Sequence, residues 1–496
     1  MGSHEGEDPR GPEAAHRARD VAAPADHAGD SGGVEQGPGA GGQGPVPGVY
    51  LEDASGLTGY ADRLIVPSDE AGVISALRDA AAAGVPVTIA GAGTGVTGGR
   101  VPFGGWVLSL EKFTKLDVAS GRAVAGAGVL LRDVHAAAQS TGQLYPPDPT
   151  ETGASIGGNI ACNASGSRSF RYGPTGGWVQ RLRVVLADGR VLDVARGDGI
   201  DFDPGIVPRP AVTKNTAGYV LRPGMDWLDL FIGSEGTLGV IVEATLRLIP
   251  APKAVLAGVV FFPGDDAAVE AVENWRAAAT PRMLEYFDEP SLGLLRTRHP
   301  EIPAEARAAV LFDQELESDD DPEIDAWLER VESAGALVEA SWFATTPADR
   351  ERFRKFRHTL PELVNDTVRR SGAMKMNTDF AVPLAANREM LATYRRVLES
   401  EFPGRYVIFG HIGDAHVHVN LFSDPADPAR ATAVLKDMAR RAVELGGTVS
   451  AEHGVGKRKA HLLELQYTAE QLEAMRAVKR RLDPAGILGR GTMLTG

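Results

Sequence analysis

The chain has 496 residues, 43% hydrophobic and 24% charged, with a formal net charge of −15. That length exceeds one ordinary core and predicts two or three domains of globular composition. The negative balance excludes nucleic acid or an anionic membrane surface as the main partner, while leaving room for a local basic pocket that takes an anionic substrate.

The elements follow in chain order. Residues 1–47, rich in Gly, Pro, Ala and acidic side chains, lack both apolar periodicity and a secretory core, and are expected to form a disordered tail. From about residue 60 come the strand "RLIVP", the helix "EAGVISALRDAAAAG" and the strand "PVTIA", which runs into "GAGTGVTGGRVPFGG". A second glycine-rich stretch, "PPDPTETGASIGGNIACNASGSRSFRYGPTGG" at 146–177, follows another helix. "RLRVVLADGRVLDV" reads as a hairpin about an Asp-Gly turn, and "GSEGTLGVIVEATLRLIP" closes the region at Pro250 with a long alternating strand.

Beyond residue 254 the order changes to strand, helix, strand: "AVLAGVVFF", "DDAAVEAVENWRAA", "RMLEYFD", then "ARAAVLFDQ", an acidic helix and "ALVEASWFA". "MKMNTDFAVP", the helix "ANREMLATYRRVLESEF", a histidine-bearing strand, the helix "PARATAVLKDMARRAVELG" and the strand "GTVSAEHG" complete it. This predicts an antiparallel sheet with helices on one face, a cap on the first domain, and an α+β class overall. The last helix opens on a capping box, Thr468 with Gln471, and stops at Asp483-Pro484. The single cysteine, Cys162, excludes an intrachain disulfide and a Cys-ligated iron–sulfur centre, and suits the reducing cytoplasm, which is the expected location. No apolar run approaches the roughly 20 residues of a membrane-spanning helix.

"GTGVTG" at 93–98 has the form of a dinucleotide fingerprint, but the following "GRVPFGGWVLSL" cannot be the helix such a turn must open, so an NAD site is rejected. The loop keeps a phosphate-binding character. Gly91, Gly93, Gly95, Gly98 and Gly99 let backbone N–H groups approach an anion, and Thr94 and Thr97 add hydroxyls. The second loop combines Gly153, Ser155, Gly157 and Gly158 with Asn159 and Asn163, and two such loops in one domain suggest one long cofactor. "FGHIGDAHVHVNLF" at 409–422 carries His411, His416 and His418; in an extended strand His416, His418 and Asn420 share a face. Such a face suits plain solvation, a metal or a catalytic base.

In order and spacing, "GAGTGVTGG", "PPDPTETGASIGGNIACNASG", "RYG" and "GSEGTLGVI" resemble the FAD-binding (PCMH-type) domain of the vanillyl-alcohol-oxidase-type flavoproteins. Within them the chain is similar to the branch of D-lactate dehydrogenase, the glycolate oxidase FAD subunit and D-2-hydroxyglutarate dehydrogenase. That branch's C-terminal marks match "EYFDE" at 285–289, "FRHTLPE" at 356–362, "TDFAVP" at 378–383, "GHIGDAHVHVN" at 410–420 and "AEHGVGK" at 451–457. The resemblance implies a two-subdomain FAD-binding domain over 48–252, a cap domain for substrate and metal over 253–455, and a helical segment over 456–496 that returns to the FAD domain.

It further implies pyrophosphate contacts from Gly91, Gly93, Thr94, Gly95, Val96, Thr97 and Gly98, and flavin contacts from Gly153, Ser155, Gly158, Asn159, Cys162, Asn163 and Val240. Covalent members use an early histidine, and none lies between His27 and His135, which points to non-covalent FAD. His411, His418 and Glu452 match the ligands of a divalent ion, commonly zinc, and His453 matches the catalytic base. Because neighbours on a regular strand face opposite ways, Glu452 and His453 can serve one site only at a strand end. Arg357 matches the arginine that binds the substrate carboxylate, with Asn420 and Lys375 as further substrate contacts; some relatives place that lysine where Asn377 stands here. His416, matched by asparagine in some relatives and histidine in others, is left among three roles, a ligand, a residue beside the ligands or a surface residue, and "GILGRGTML" departs from the usual "GILNPGKM".

The implied activity is oxidation of a 2-hydroxy acid, D-configured, to the 2-oxo acid. Electrons would pass to an external acceptor: a cytochrome, a quinone, an electron-transfer flavoprotein or an iron–sulfur subunit. A homodimer is compatible with this reading. The rival from another class is a metal-dependent hydrolase using His411, His418 and Glu452, which leaves both glycine loops unexplained. A protein that keeps FAD only as structure is a second rival.

Overall fold

The helix Glu70–Ala83 shows how closely local chemistry sets the first domain. Asp69 caps it by accepting the Gly72 N–H, Val73, Ala76, Leu77 and Ala80 form its buried stripe, and Gly84 ends it in the left-handed region at φ 65°. The computed structural model describes residues 45–494, so nearly all of the expected N-terminal tail lies outside the described residues. Beside the helix is a parallel sheet of three strands, in the order Arg63–Ile65, Trp106–Ser109 and Val87–Ala90. A five-stranded antiparallel sheet follows, in the order Leu116–Ala119, Arg122–Gly126, Val240–Arg247, Val179–Val185 and Val191–Ala195. Its last two strands are the expected hairpin, turning at Gly189 with φ 80°.

The cap is a seven-stranded sheet in the order Trp342–Ala344, Ala254–Phe262, Ala308–Leu316, Met283–Phe287, Tyr406–His411, His416–Ser423 and Met374–Asn377. Every pairing is antiparallel. Ala254–Phe262 is buried along its whole length because its alternate residues enter two cores, Leu256, Val260 and Phe262 in one and Ala257, Val259 and Phe261 in the other. The second core also takes Leu292 and Leu295 from Glu289–Leu295, and Phe353, Phe356, Leu360 and Val364 from Pro347–Ser371. A second helical layer therefore covers the face that the sequence order left bare.

"GTVSAEHG" does not form the expected strand. It makes one bridge, Ala381 to Thr448, and is otherwise irregular. Its backbone is bonded elsewhere: Asp379 accepts the N–H groups of Glu452 and His453 at 3.1 and 3.0 Å. A side chain has replaced the neighbouring strand as acceptor, which frees both residues from strand alternation.

The C-terminal stretch runs back onto the first domain. The helix Ala469–Leu482 has its capping box in place and buries Leu472, Met475, Val478 and Leu482. Beyond it Val87 donates its N–H to the Ile487 carbonyl and Gly489 donates to the Val87 carbonyl, at 2.7 and 3.0 Å. The N–H groups of Lys457 and Arg458 both bond the Thr97 carbonyl, and Lys457 Nζ reaches the carbonyls of Gly98 and Gly99.

Candidate active site

Both glycine loops and the histidine strand face one cavity of about 420 Å³, within the range of roughly 300–1,000 Å³ usual for small-molecule sites. Gly91, Gly93, Thr94, Gly95, Val96, Thr97, Ser155, Gly158, Asn159 and Cys162 line one side of it; Arg357, His411, His418, Asn420, Glu452 and His453 also line it. Ser155 ties the loops together, its hydroxyl accepting the N–H groups of Gly158 and Ala92 at 3.3 and 3.4 Å. Thr97 donates its hydroxyl to the His453 carbonyl at 3.3 Å, and the Glu235 carboxylate accepts from Val455 and Gly456 at 2.7 and 2.8 Å. The two halves of the site are thereby fixed to each other.

Four of the expected cofactor residues do not line the cavity, each for a local reason. Gly98 turns back at φ 77° toward Leu57, and its carbonyl serves Lys457. Gly153 gives its N–H to Glu151, and Asn163 uses Oδ1 to accept from Gly176. Val240 lies in a hydrophobic core, while Gly239 and Ile241, its neighbours on the opposite face of the strand, line the cavity.

The cavity suits a long ligand with a phosphate at one end. Among the described residues no acceptor meets the backbone N–H groups of Gly93 to Val96, and the buried Asn159 Nδ2 has no partner. A Cβ on Gly95 would meet only Asp53 Oδ2, at 3.7 Å, so the space there is open. Gly95→Val is therefore expected to fold as the parent does while losing bound FAD. Absorbance at the flavin bands, read beside the unfolding midpoint of the apoprotein, checks this; full flavin occupancy in the variant would count against the loop as a phosphate cradle.

The histidines sit where Tyr406–His411 turns through Ile412–Asp414, with Ala415 left-handed at φ 52°, and returns as His416–Ser423. His411 Nδ1 lies 2.5 Å from Glu285 Oε1, and His418 Nδ1 lies 3.2 Å from the Thr378 carbonyl. Their Nε2 atoms lie 3.3 and 3.2 Å from the same atom, Glu452 Oε1. With both Nδ1 positions bonded to acceptors, two nitrogens and one carboxylate oxygen converge, a donor set that fits a divalent ion such as zinc. Burial opposes charge on His411, but Glu285 and Glu452 together outweigh it and hold the imidazole above its ordinary value. His416 is fully buried, not at the surface, with Nε2 3.2 Å from Asp379 Oδ1.

His453 stacks on His418 with ring centroids 5.2 Å apart and planes 11° from parallel. Its Nδ1 is 3.7 Å from Asp379 Oδ2, and burial pushes its pKa down to about 4, leaving a neutral imidazole able to accept a proton. Asp379 also accepts from Ser450 Oγ at 2.9 Å and from Lys459 at 2.7 Å. Burial would raise its carboxyl, but the Lys459 ammonium and the hydrogen bonds it accepts hold it well below the usual range.

Two ion pairs complete the site. Arg357 Nε donates to Glu285 Oε2 at 2.7 Å, so Glu285 holds Arg357 with one oxygen and His411 with the other. Lys214, with no exposed side-chain surface, lies 3.1 Å from Glu452 Oε2 and 3.4 Å from Asp414 Oδ2. Burial works against ionisation of Glu452, yet Lys214 and His411 keep it well below the carboxylate range. The sequence pointed to neither Lys214 nor a role for Glu285. Lys375 does not line the cavity; it donates to Asn365 at 3.0 Å, while Asn377, two residues along the strand, is at the lining.

Two glycine loops opening onto a histidine and carboxylate cluster place room for a long ligand beside groups able to carry out chemistry on a second one. Residues 61–195 match the family described as "FAD binding domain", and residues 251–493 match "FAD linked oxidases, C-terminal domain". The chain is 30% identical to the glycolate oxidase subunit GlcD of Bacillus subtilis, covering 90% of this chain and 92% of that one. It is 34% identical to the D-lactate dehydrogenase of Anaerostipes hadrus (82% and 84% covered), and 31% identical to the D-2-hydroxyglutarate dehydrogenase of Xanthomonas citri pv. viticola (87% and 88% covered). The chain belongs to the FAD-linked oxidases, as an FAD-binding oxidoreductase of the group that holds these dehydrogenases. A solved structure of alkyldihydroxyacetonephosphate synthase shares the fold, with a TM-score of 0.64 at 16% identity, covering 87% of this chain and 76% of that one.

Proposed function

We propose that this protein oxidises a D-configured 2-hydroxy acid to the 2-oxo acid, with FAD held non-covalently and a divalent ion, zinc, held by His411, His418 and Glu452. The observation that carries this reading is the single cavity shared by both glycine loops, Arg357 and the histidine cluster. Bound FAD supplies a two-electron acceptor, and a bound divalent ion supplies a Lewis acid that makes a hydroxyl more acidic.

The remaining chemistry belongs to the side chains. Arg357, held by Glu285 through Nε, keeps its terminal nitrogens for the substrate carboxylate, and Asn420 offers an amide to the same ligand. Asp379 beside Nδ1 favours the proton on that nitrogen of His453, so Nε2 takes the hydroxyl proton as general base. Glu285 sets the tautomer of His411 and the orientation of Arg357 together. An external acceptor reoxidises the flavin. Among the described residues no helix is long and apolar enough to cross a membrane; we assign the reaction to the cytoplasm on the single cysteine.

Anaerobic bleaching of the flavin by a panel of 2-hydroxy acids, including D-lactate, D-2-hydroxyglutarate and the achiral glycolate, tests the reading. Bleaching by none of them, in protein with full FAD, would overturn it. Chelation is expected to abolish bleaching while leaving the FAD in place, and zinc or manganese should restore it. If chelators leave the rate unchanged and metal analysis finds no ion, His411 and His418 bind substrate directly. A hydrolase built on the same three residues receives no support from the family.

A further inference from the structure

We infer that His416 is a third imidazole ligand, so that the centre presents three nitrogens and one carboxylate oxygen; this rests on the metal reading of His411, His418 and Glu452 given above. His416 and His411 are cross-strand partners, and His416 shares a face of its strand with His418. Its ring centroid lies 4.5 Å from that of His418 and 5.6 Å from that of His411. One ligand atom from each of His411, His416, His418 and Glu452 falls within 4.8 Å of all the others.

The orientation of the rings argues more strongly than their proximity. His411 and His418 each turn one nitrogen to Glu452 and rest the other on an acceptor, Glu285 or the Thr378 carbonyl. His416 repeats the arrangement: Nδ1 lies 3.8 Å from Glu452 Oε2, and Nε2 lies 3.2 Å from Asp379 Oδ1. An acceptor behind each ring with the other nitrogen aimed at a common point is the support that ligating histidines receive.

The alternative is that His416 exists to pair with Asp379. Asp379 does not need it, because two backbone N–H groups, the Ser450 hydroxyl and Lys459 already donate to its oxygens. His416, by contrast, is completely buried, and while Nε2 rests 3.2 Å from Asp379, Nδ1 has no hydrogen-bond partner, a state that is costly unless another group takes its lone pair. A cation at the centre of the cluster is that partner. Three imidazoles and a carboxylate shift the preference toward zinc, cobalt, nickel and copper, and away from magnesium or manganese.

The test counts nitrogens. The flavin-loaded protein, stripped of metal and reloaded with one equivalent of Cu²⁺, is examined by electron spin-echo envelope modulation, to which oxidised FAD is silent. Three coupled imidazoles are expected in the parent and two in His416→Asn, with FAD content unchanged. In parallel, Zn²⁺ affinity from competition with a chromophoric chelator is expected to fall at least about 100-fold in the variant; a merely supporting residue also costs about 10–100-fold, so the nitrogen count decides. Two imidazoles in the parent overturn the inference even if the variant fails to fold. A parent that binds neither ion overturns the metal reading as well, whereas tight Zn²⁺ binding by two imidazoles overturns this inference alone.

Discussion

His453→Asn is expected to keep its FAD and its metal while the rate of anaerobic flavin reduction falls by about 10²–10⁴-fold, the usual worth of a positioned general base. Asparagine preserves polarity and similar reach but cannot take up a proton. The loop itself should survive, because it is held by backbone bonds to Asp379 and Glu235 and not by the imidazole. Glu452→Gln provides the contrast. Its carboxylate faces both His411 and His418, so its loss should weaken metal binding and be partly recovered by excess metal. Asp379, His418 and His453 also lie close enough to hold an ion together. Stopped-flow reduction of both variants across metal concentration separates the roles: equal, metal-rescuable losses would make His453 a ligand and place the base elsewhere.

Lys214→Met should cost about 3–5 kcal/mol of stability in metal-free protein, the usual consequence of breaking a buried ion pair from one side. Methionine fills much of the volume but leaves Asp414, fully enclosed, and Glu452, at the cavity wall, without their common cation. Burial already raises the Asp414 carboxyl against the pull of Lys214, so without the lysine it should bury only as the neutral acid. A divalent ion would return positive charge to Glu452, and zinc should therefore stabilise this variant more than it stabilises the parent. Urea midpoints with chelator and with zinc measure both effects. A chelator midpoint equal to the parent's would mean that the pair contributes nothing.

The features legible in the sequence were those whose causes are local. The helix at 70–83 announces itself by cap, stripe and terminal glycine, and the last helix by Thr468 and Gln471. The glycine loops were legible because small residues in a row let the backbone line a cavity closely, and the three histidines because they occupy one turn of antiparallel strand. Lys214 left no such mark: it meets Glu452 across 238 positions, and its neighbours in "AVTKNTAGYV" read as an ordinary loop. The irregular "SAEHG" was equally hidden, since the β-branched Thr448 and Val449 before it suggest a strand, while one carboxylate, Asp379, from a distant segment takes its backbone N–H groups. Val240 and Lys375 went astray by smaller steps. A motif boundary does not say which residue of an alternating strand faces the ligand, nor whether a lysine bends toward a cavity or a helix.

The segment that fastens the first glycine loop is made long after the loop itself. Lys457 grips the Gly98 carbonyl from 359 positions downstream, and Thr492 reaches the Gly99 carbonyl from 393. On a ribosome the nascent FAD domain would show both loops, sheets and helix, yet lack the strap that sets the phosphate-binding turn. The final shape of that turn thus waits for residues 457–492, however early the loop itself emerges.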